Sequence, residues 1–219
     1  MPPFPRFLPV VKSSVNIKPP LMLSRPPGLF KRILTTSAPY SAGYAFRRAP
    51  VPQPPARQTT GLPSGDAGTA KTVGWMRKLI HQGSKSPQIR ELAANLAMRH
   101  STDQGKIGSI FEFVRNKMKY VRDPLHQELL AGTDYHMGTL AQEGYARGDC
   151  DDHTIMLGAM LESVGYPTRI TTARMKPGPG SFDHVYLEVN DRRGWIPLDP
   201  SNKQREAGEE PPANRLRRW

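Results

Sequence analysis

Gly148-Asp149-Cys150-Asp151-Asp152 opens the stretch GDCDDHTIMLGAMLESVGYPTRI (148–170), and its reading decides the fold. Ile155, Met156, Ala159, Met160 and Val164 recur at helical spacing, so a helix is predicted from Cys150 to Val164. Gly165 stands where a C-terminal cap glycine belongs. The pattern then changes to strand. Thr168 to Ala173 is rich in Thr and Ile, and Lys176 to Gly180 reads as a turn. Asp183 to Asn190 alternates, with His184, Tyr186 and Glu188 on one face and Val185, Leu187 and Val189 on the other. Gly194 to Leu198 reads as a short third strand.

Upstream, helices are predicted over Lys71 to His81, from Ser86-Pro87 onward, and over Lys106 to Tyr120. Ser86 suits an N-cap and Pro87 the first helical position. In the third helix Ile107, Ile110, Phe111, Val114 and Met118 mark a buried face, with Phe113 off it. Asp123 to Gly148 reads as irregular, broken by Gly132, Gly138, Gly144 and Gly148. Helices first and strands after imply an α+β domain.

The 219 residues divide at about residue 66. The net charge is +12, and nine Lys and Arg residues precede the first acidic one, Asp66. Residues 1–66 also hold most of the 23 prolines, which disfavour helices and central strands. A basic, extended arm is expected there, studded with apolar anchors such as Phe4, Phe7, Phe30 and Tyr44. Residues 67–202 form the folded domain, and 203–219 read as a polar tail. The positive charge suits nucleic acid, anionic surfaces or acidic proteins without choosing among them. No apolar run reaches the ~20 residues a membrane helix needs. The N-terminus has no apolar stretch free of Pro and charge, so no signal peptide is expected.

Cys150 is the sole cysteine, so no internal disulfide can form. Such a residue is either a small buried hydrophobe or a reactive thiol. Its position favours the second reading. Helix N-termini carry unpaired N–H groups and positive potential, which stabilise a thiolate and receive an oxyanion. A thiol nucleophile needs a base, and the base needs an orienting partner. His184 lies inside a strand, and Asp199 closes the next one, within reach of a hairpin. Asp149, Asp151 and Asp152 read as helix-capping acids that would raise the thiol pKa by like-charge repulsion. Asp152 and His153 diverge as neighbours on a helix, so no metal site is expected, and no cofactor.

The strings GDCDD (148–152), ESVGYPTRI (162–170), FDHVYLEV (182–189) and GWIPLDPS (194–201) resemble the transglutaminase-like superfamily, of papain-like fold, over roughly residues 86–202. The resemblance implies Cys150 as nucleophile, His184 as general base and acid, and Asp199 as orienter. It implies a helical N-terminal half, the nucleophile on a helix N-terminus and a small antiparallel sheet. The backbone N–H of Cys150 is one oxyanion donor, and Gln142 or Tyr145 is the side-chain candidate, beside Asp149 at the cleft. YVRDP (120–124) resembles the entrance segment of the family.

This triad implies acyl transfer by a cysteine peptidase or amidase, or a crosslinker if an amine replaces water. Compact domains of this kind with appended arms also resemble proteins of tailed bacteriophages, some of them virion components. In that reading residues 1–66 dock to neighbouring subunits, the protein resides in a virion, and the triad is idle or acts only in assembly; virion residence is equally compatible with an active triad. Otherwise a cytoplasmic enzyme is expected. Partners are a protein substrate or neighbouring subunits, with nucleic acid as a weaker contact of the arm.

Overall fold

The computed structural model describes residues 57–58, 63–124, 129–178 and 180–219. The arm expected over 1–66 therefore lies mostly outside the described residues. The elements run β1 (Arg57–Gln58), α1 (Asp66–Gly83), α2 (Pro87–Ala97), α3 (Asp103–Lys117), β2 (Met118–Tyr120), β3 (Leu129–Leu130), α4 (Thr133–Glu143), β4 (Ala146–Gly148), α5 (Cys150–Ser163), β5 (Thr168–Arg174), β6 (His184–Asn190), β7 (Trp195–Leu198) and β8 (Arg215–Arg218). The domain is α+β, with helices preceding a small antiparallel sheet.

The centre is α5. Eleven consecutive residues, Asp151 to Leu161, are buried, so the helix is enclosed on all sides. It packs against α1, α2 and α3 and, on the opposite side, against β6. The approach of α1 is close: a Cβ on Gly158 would lie 2.9 Å from Ile80 Cδ1. Ile80 thus fills the space a side chain at 158 would take. Phe113, expected off the buried face of α3, is only 5% exposed. It is enclosed with Ile110 and Phe111, so this helix too is covered on more than one face.

The sheet has the order β7-β6-β5-β8, all antiparallel. Thr172 pairs with Val185 and Ala173 with His184, while Leu187 pairs with Leu198. This register places the start of β6 beside the end of β5. Both faces of β6 are buried from Val185 to Val189. Its polar face is closed by ion pairs: Glu188 takes Arg169 and Arg218, and the Tyr186 hydroxyl donates to Glu210 at 3.1 Å.

Two expectations need correction. Residues 203–219 are not a tail. They return to the sheet as edge strand β8, and Trp219 packs on the core and donates from Nε1 to Thr172 at 3.0 Å. Arg215 holds Asp66 at 2.7 Å, and Arg217 lies over the Trp219 ring at 3.9 Å. Residues 123–148 are not irregular either, for they contain α4, β3 and β4. Gly144 is the left-handed cap of α4 (φ 78°), so that glycine ends a helix rather than preventing one. Strand β4 pairs in parallel with β2 and leads directly into α5. Among the described residues no helix is long and apolar enough to cross a membrane.

Candidate active site

Cys150 is the first residue of α5. Asp149 caps the helix, its Oδ1 accepting the Asp151 N–H at 3.0 Å. Because β4 and α5 are separated by this one capping residue, the thiol is aimed by a strand on one side and a helix on the other. The backbone N–H of Val185, on β6, faces the sulfur and favours its ionised form. Val185 directly follows His184, so β6 brings the imidazole-bearing strand end into the cleft with Cys150.

His184 and Asp199 meet across the β6–β7 hairpin, with Nε2 to Oδ2 at 2.9 Å. Asp199 is 1% exposed and fully engaged. Its Oδ1 accepts from Ser201 at 2.7 Å, and Arg205 Nε lies 3.7 Å from Oδ2. Burial alone would raise this carboxyl. The His184 hydrogen bond and charge, Ser201 and Arg205 outweigh it and hold the carboxyl below its ordinary range. With Nε2 committed to Asp199, Nδ1 is the ring nitrogen left for the thiol.

A cleft of about 370 Å³ contains Cys150 and His184. Thr69 and Thr72 of α1 form one wall, and Tyr120 and Phe182 stand on others. Asp149, Asp151 and Asp183 also face it, and no Lys or Arg is found among the described residues that line it. The consequence is visible at the thiol. Burial pushes the Cys150 pKa well up, and the charges of Asp151 and Asp149 push it further, against the Val185 N–H. The sulfur donates to Asp151 Oδ1 at 3.6 Å. Burial and the two carboxylates thus act together to favour the neutral thiol of Cys150.

Two of the sequence-derived oxyanion candidates stand elsewhere. Gln142 is exposed in the last turn of α4 and does not line the cleft. The Tyr145 hydroxyl accepts from Arg147 at 2.6 Å, and Lys119 Nζ sits 3.3 Å from its ring centroid. Gln142 lies on α4 and Tyr145 in the α4–β4 connection, and neither is among the described residues lining the cleft. Tyr120, from the segment read as the entrance, does line the cleft. Burial raises its phenol, and electrostatic interaction with Cys150 and Asp149 raises it further, which marks its closeness to Cys150. Among the described residues the grouping of metal-type ligands is Asp149, Cys150 and Asp151, with atoms within 4.8 Å of one another. Asp149 is committed to the helix cap and Asp151 to the thiol.

The model of the transglutaminase-like superfamily matches residues 90–200, just over half of the chain, and all three triad positions fall inside that span. The chain belongs to the transglutaminase-like superfamily. Similar solved structures include a candidate cysteine protease from Cytophaga hutchinsonii (19% identity, 52% of this chain and 37% of that one, TM-score 0.39). A second is a candidate protease from Parabacteroides distasonis (16% identity, 62% and 26%, TM-score 0.45). A third is the periplasmic domain of TgpA from Pseudomonas aeruginosa, bound to ethylmercury (18% identity, 58% and 50%, TM-score 0.42). This chain spans between a quarter and a half of the length of those proteins. No curated protein matches it.

Proposed function

We propose that this transglutaminase-like domain is a cysteine-dependent acyl-transfer enzyme, a peptidase or amidase, with Cys150 as nucleophile, His184 as base and acid, and Asp199 as orienter. The observation that carries the reading is that Cys150 and His184 line one cleft while His184 holds Asp199 at 2.9 Å.

The chemistry follows from those positions. The thiol proton passes to Nδ1 of His184 as the sulfur attacks the carbonyl carbon of an amide. The developing oxyanion takes the backbone N–H of Cys150, at the positive end of α5. The C–N bond breaks, and His184 returns the proton to the departing amine. Water then attacks the thioester, giving up a proton to His184, and the thiolate leaves with that proton returned. A second amine in place of water gives a crosslink. Because the neutral thiol is favoured, His184 acts during the attack rather than through a preformed ion pair.

The test is acylation of Cys150 by an activated ester, followed by mass spectrometry. His184→Ala should slow it by about a hundredfold or more. Acylation at the native rate in that variant would overturn the reading. A raised thiol pKa is equally expected of a second reading, an assembly module whose triad is idle. A native protein that is never acylated would support it, and residues 1–66 would then be the segment to probe for subunit binding.

A further inference from the structure

The first turn of α5 carries two more polar side chains for which the proposed chemistry has no use. Asp152 and His153 are 5% and 1% exposed. Burying such groups is costly unless each finds a partner. Asp152 Oδ1 accepts the Ala131 N–H at 3.0 Å and lies 3.4 Å from Nε2 of His136. His136 is on α4 and fully buried, and neither ring nitrogen has a hydrogen-bond partner. The Asp152 carboxylate is its neighbour at ion-pair distance. His153 Nδ1 lies 2.7 Å from the Asp149 carbonyl.

The backbone before Cys150 belongs to the same arrangement. A Cβ on Gly148 would stand 2.4 Å from both Cβ and Oδ2 of Asp152. The carboxylate therefore rests directly on the strand that delivers the nucleophile. Favourable interaction with the helix dipole would explain an acidic residue here. It does not explain why this one is turned inward against a second buried titratable side chain, since an exposed Asp serves the dipole equally well.

We propose that Asp152 and His136 are positioning residues: a buried anchor that ties the start of α5 to the β3–α4 connection and so sets the aim of Cys150 at His184. The proposal rests on the reading of Cys150 as nucleophile. Val185 faces the sulfur from the sheet side, and the anchor holds the same turn from behind. Loss of the anchor lets that turn shift, and a displacement of about 1 Å at a reacting atom costs up to a hundredfold in rate.

The experiment compares Asp152→Ala, Asp152→Asn, His136→Leu, His136→Gln and, as control, Tyr166→Phe. That control removes a 2.7 Å hydrogen bond to Asp103 outside the cleft. Two quantities are read in the full chain: acylation of Cys150 by the activated ester, and amide hydrogen exchange over residues 149–153. Asp152→Ala and His136→Leu should slow acylation about ten- to a hundredfold and speed exchange. Asp152→Asn and His136→Gln keep the acceptor and a donor, and should stay within about threefold of the native rate. Tyr166→Phe should lower the melting temperature and change neither readout. Native acylation and exchange in Asp152→Ala, or an Asn variant as impaired as the Ala variant, would overturn the anchor. Should both truncations fail to fold, Asp152→Asn decides: a loss of about tenfold or more overturns the proposal, and a near-native rate supports it. If the native protein is never acylated, the catalytic reading fails separately. Exchange then decides alone: unchanged exchange in His136→Leu or Asp152→Ala overturns the anchor, and if neither folds, a native turn over residues 149–153 that exchanges freely overturns it.

Discussion

Replacing Asp151 by Asn should make Cys150 more reactive, not less. The carboxylate lies 3.6 Å from the sulfur and, after burial, is the leading cause of its raised pKa. At that distance two unit charges repel by about 1.2 kcal/mol even in bulk water, and by more in a partly buried cleft. Removing the repulsion raises the thiolate population at pH 7 by at least about sevenfold. A less basic thiolate is a weaker nucleophile, which takes back about a factor of two. The net expectation is a rise of about threefold or more in the second-order rate of iodoacetamide labelling at pH 7. Cys150 is the only cysteine, so mass spectrometry of the intact chain reads the rate directly. Asn keeps an oxygen for the S–H donor, so packing is preserved. An unchanged or slower rate would refute the view that Asp151 holds the nucleophile protonated.

Further expectations can be checked in parallel. Asp199→Asn should reduce acylation by about a thousandfold, because Asn can present its amide to Nε2 and hold the wrong imidazole tautomer. The depressed Asp199 pKa also predicts a pH signature: its stabilisation is present above the ordinary carboxylate pKa of about 3.9 and is lost as pH falls below that, through its folded value. The difference in melting temperature between native and Asp199→Asn should therefore shrink in acid, and a constant difference from pH 7 to pH 3 would count against it. Gly158→Ala should destabilise by about 1–3 kcal/mol in urea unfolding, because its Cβ meets Ile80 at 2.9 Å. Trp219→Ala should cost about 2 kcal/mol by the same assay, through lost contact with the core and with Thr172. A fragment beginning at Pro63 should still melt cooperatively, since the core cluster begins at Val73.

The nucleophile helix and the order of the strands were legible because local patterns carry them. The stripe from Ile155 to Val164, the glycine at 165 and the alternation from His184 to Val189 each reflect the period of one element. The proposed triad has the same local basis: its three members begin a helix, begin a strand and follow a strand. Helix α4 was missed although its signals were present. Gly132 and Gly144 flank it as caps, and only Gly138 lies inside, so glycines that mark the two ends were read as breaks throughout. Strand β8 was hidden differently. Arg215-Leu216-Arg217-Arg218 has no apolar alternation, and its side chains are satisfied by Asp66, Glu188 and Glu210. Those partners are distant along the chain, and no window around residue 215 contains the first two.

Local order along the chain therefore determined which residues could act and what each was suited to do. Whether the thiol is ionised, which aromatic ring faces it, and what supports it from behind were settled by tertiary contact. Those properties depend on burial and on distance between residues of separate elements: Val185 of β6 facing the enclosed sulfur, Tyr120 across the cleft from it, and His136 beneath Asp152. Electrostatic energy falls with separation in space, and separation along the chain does not specify it.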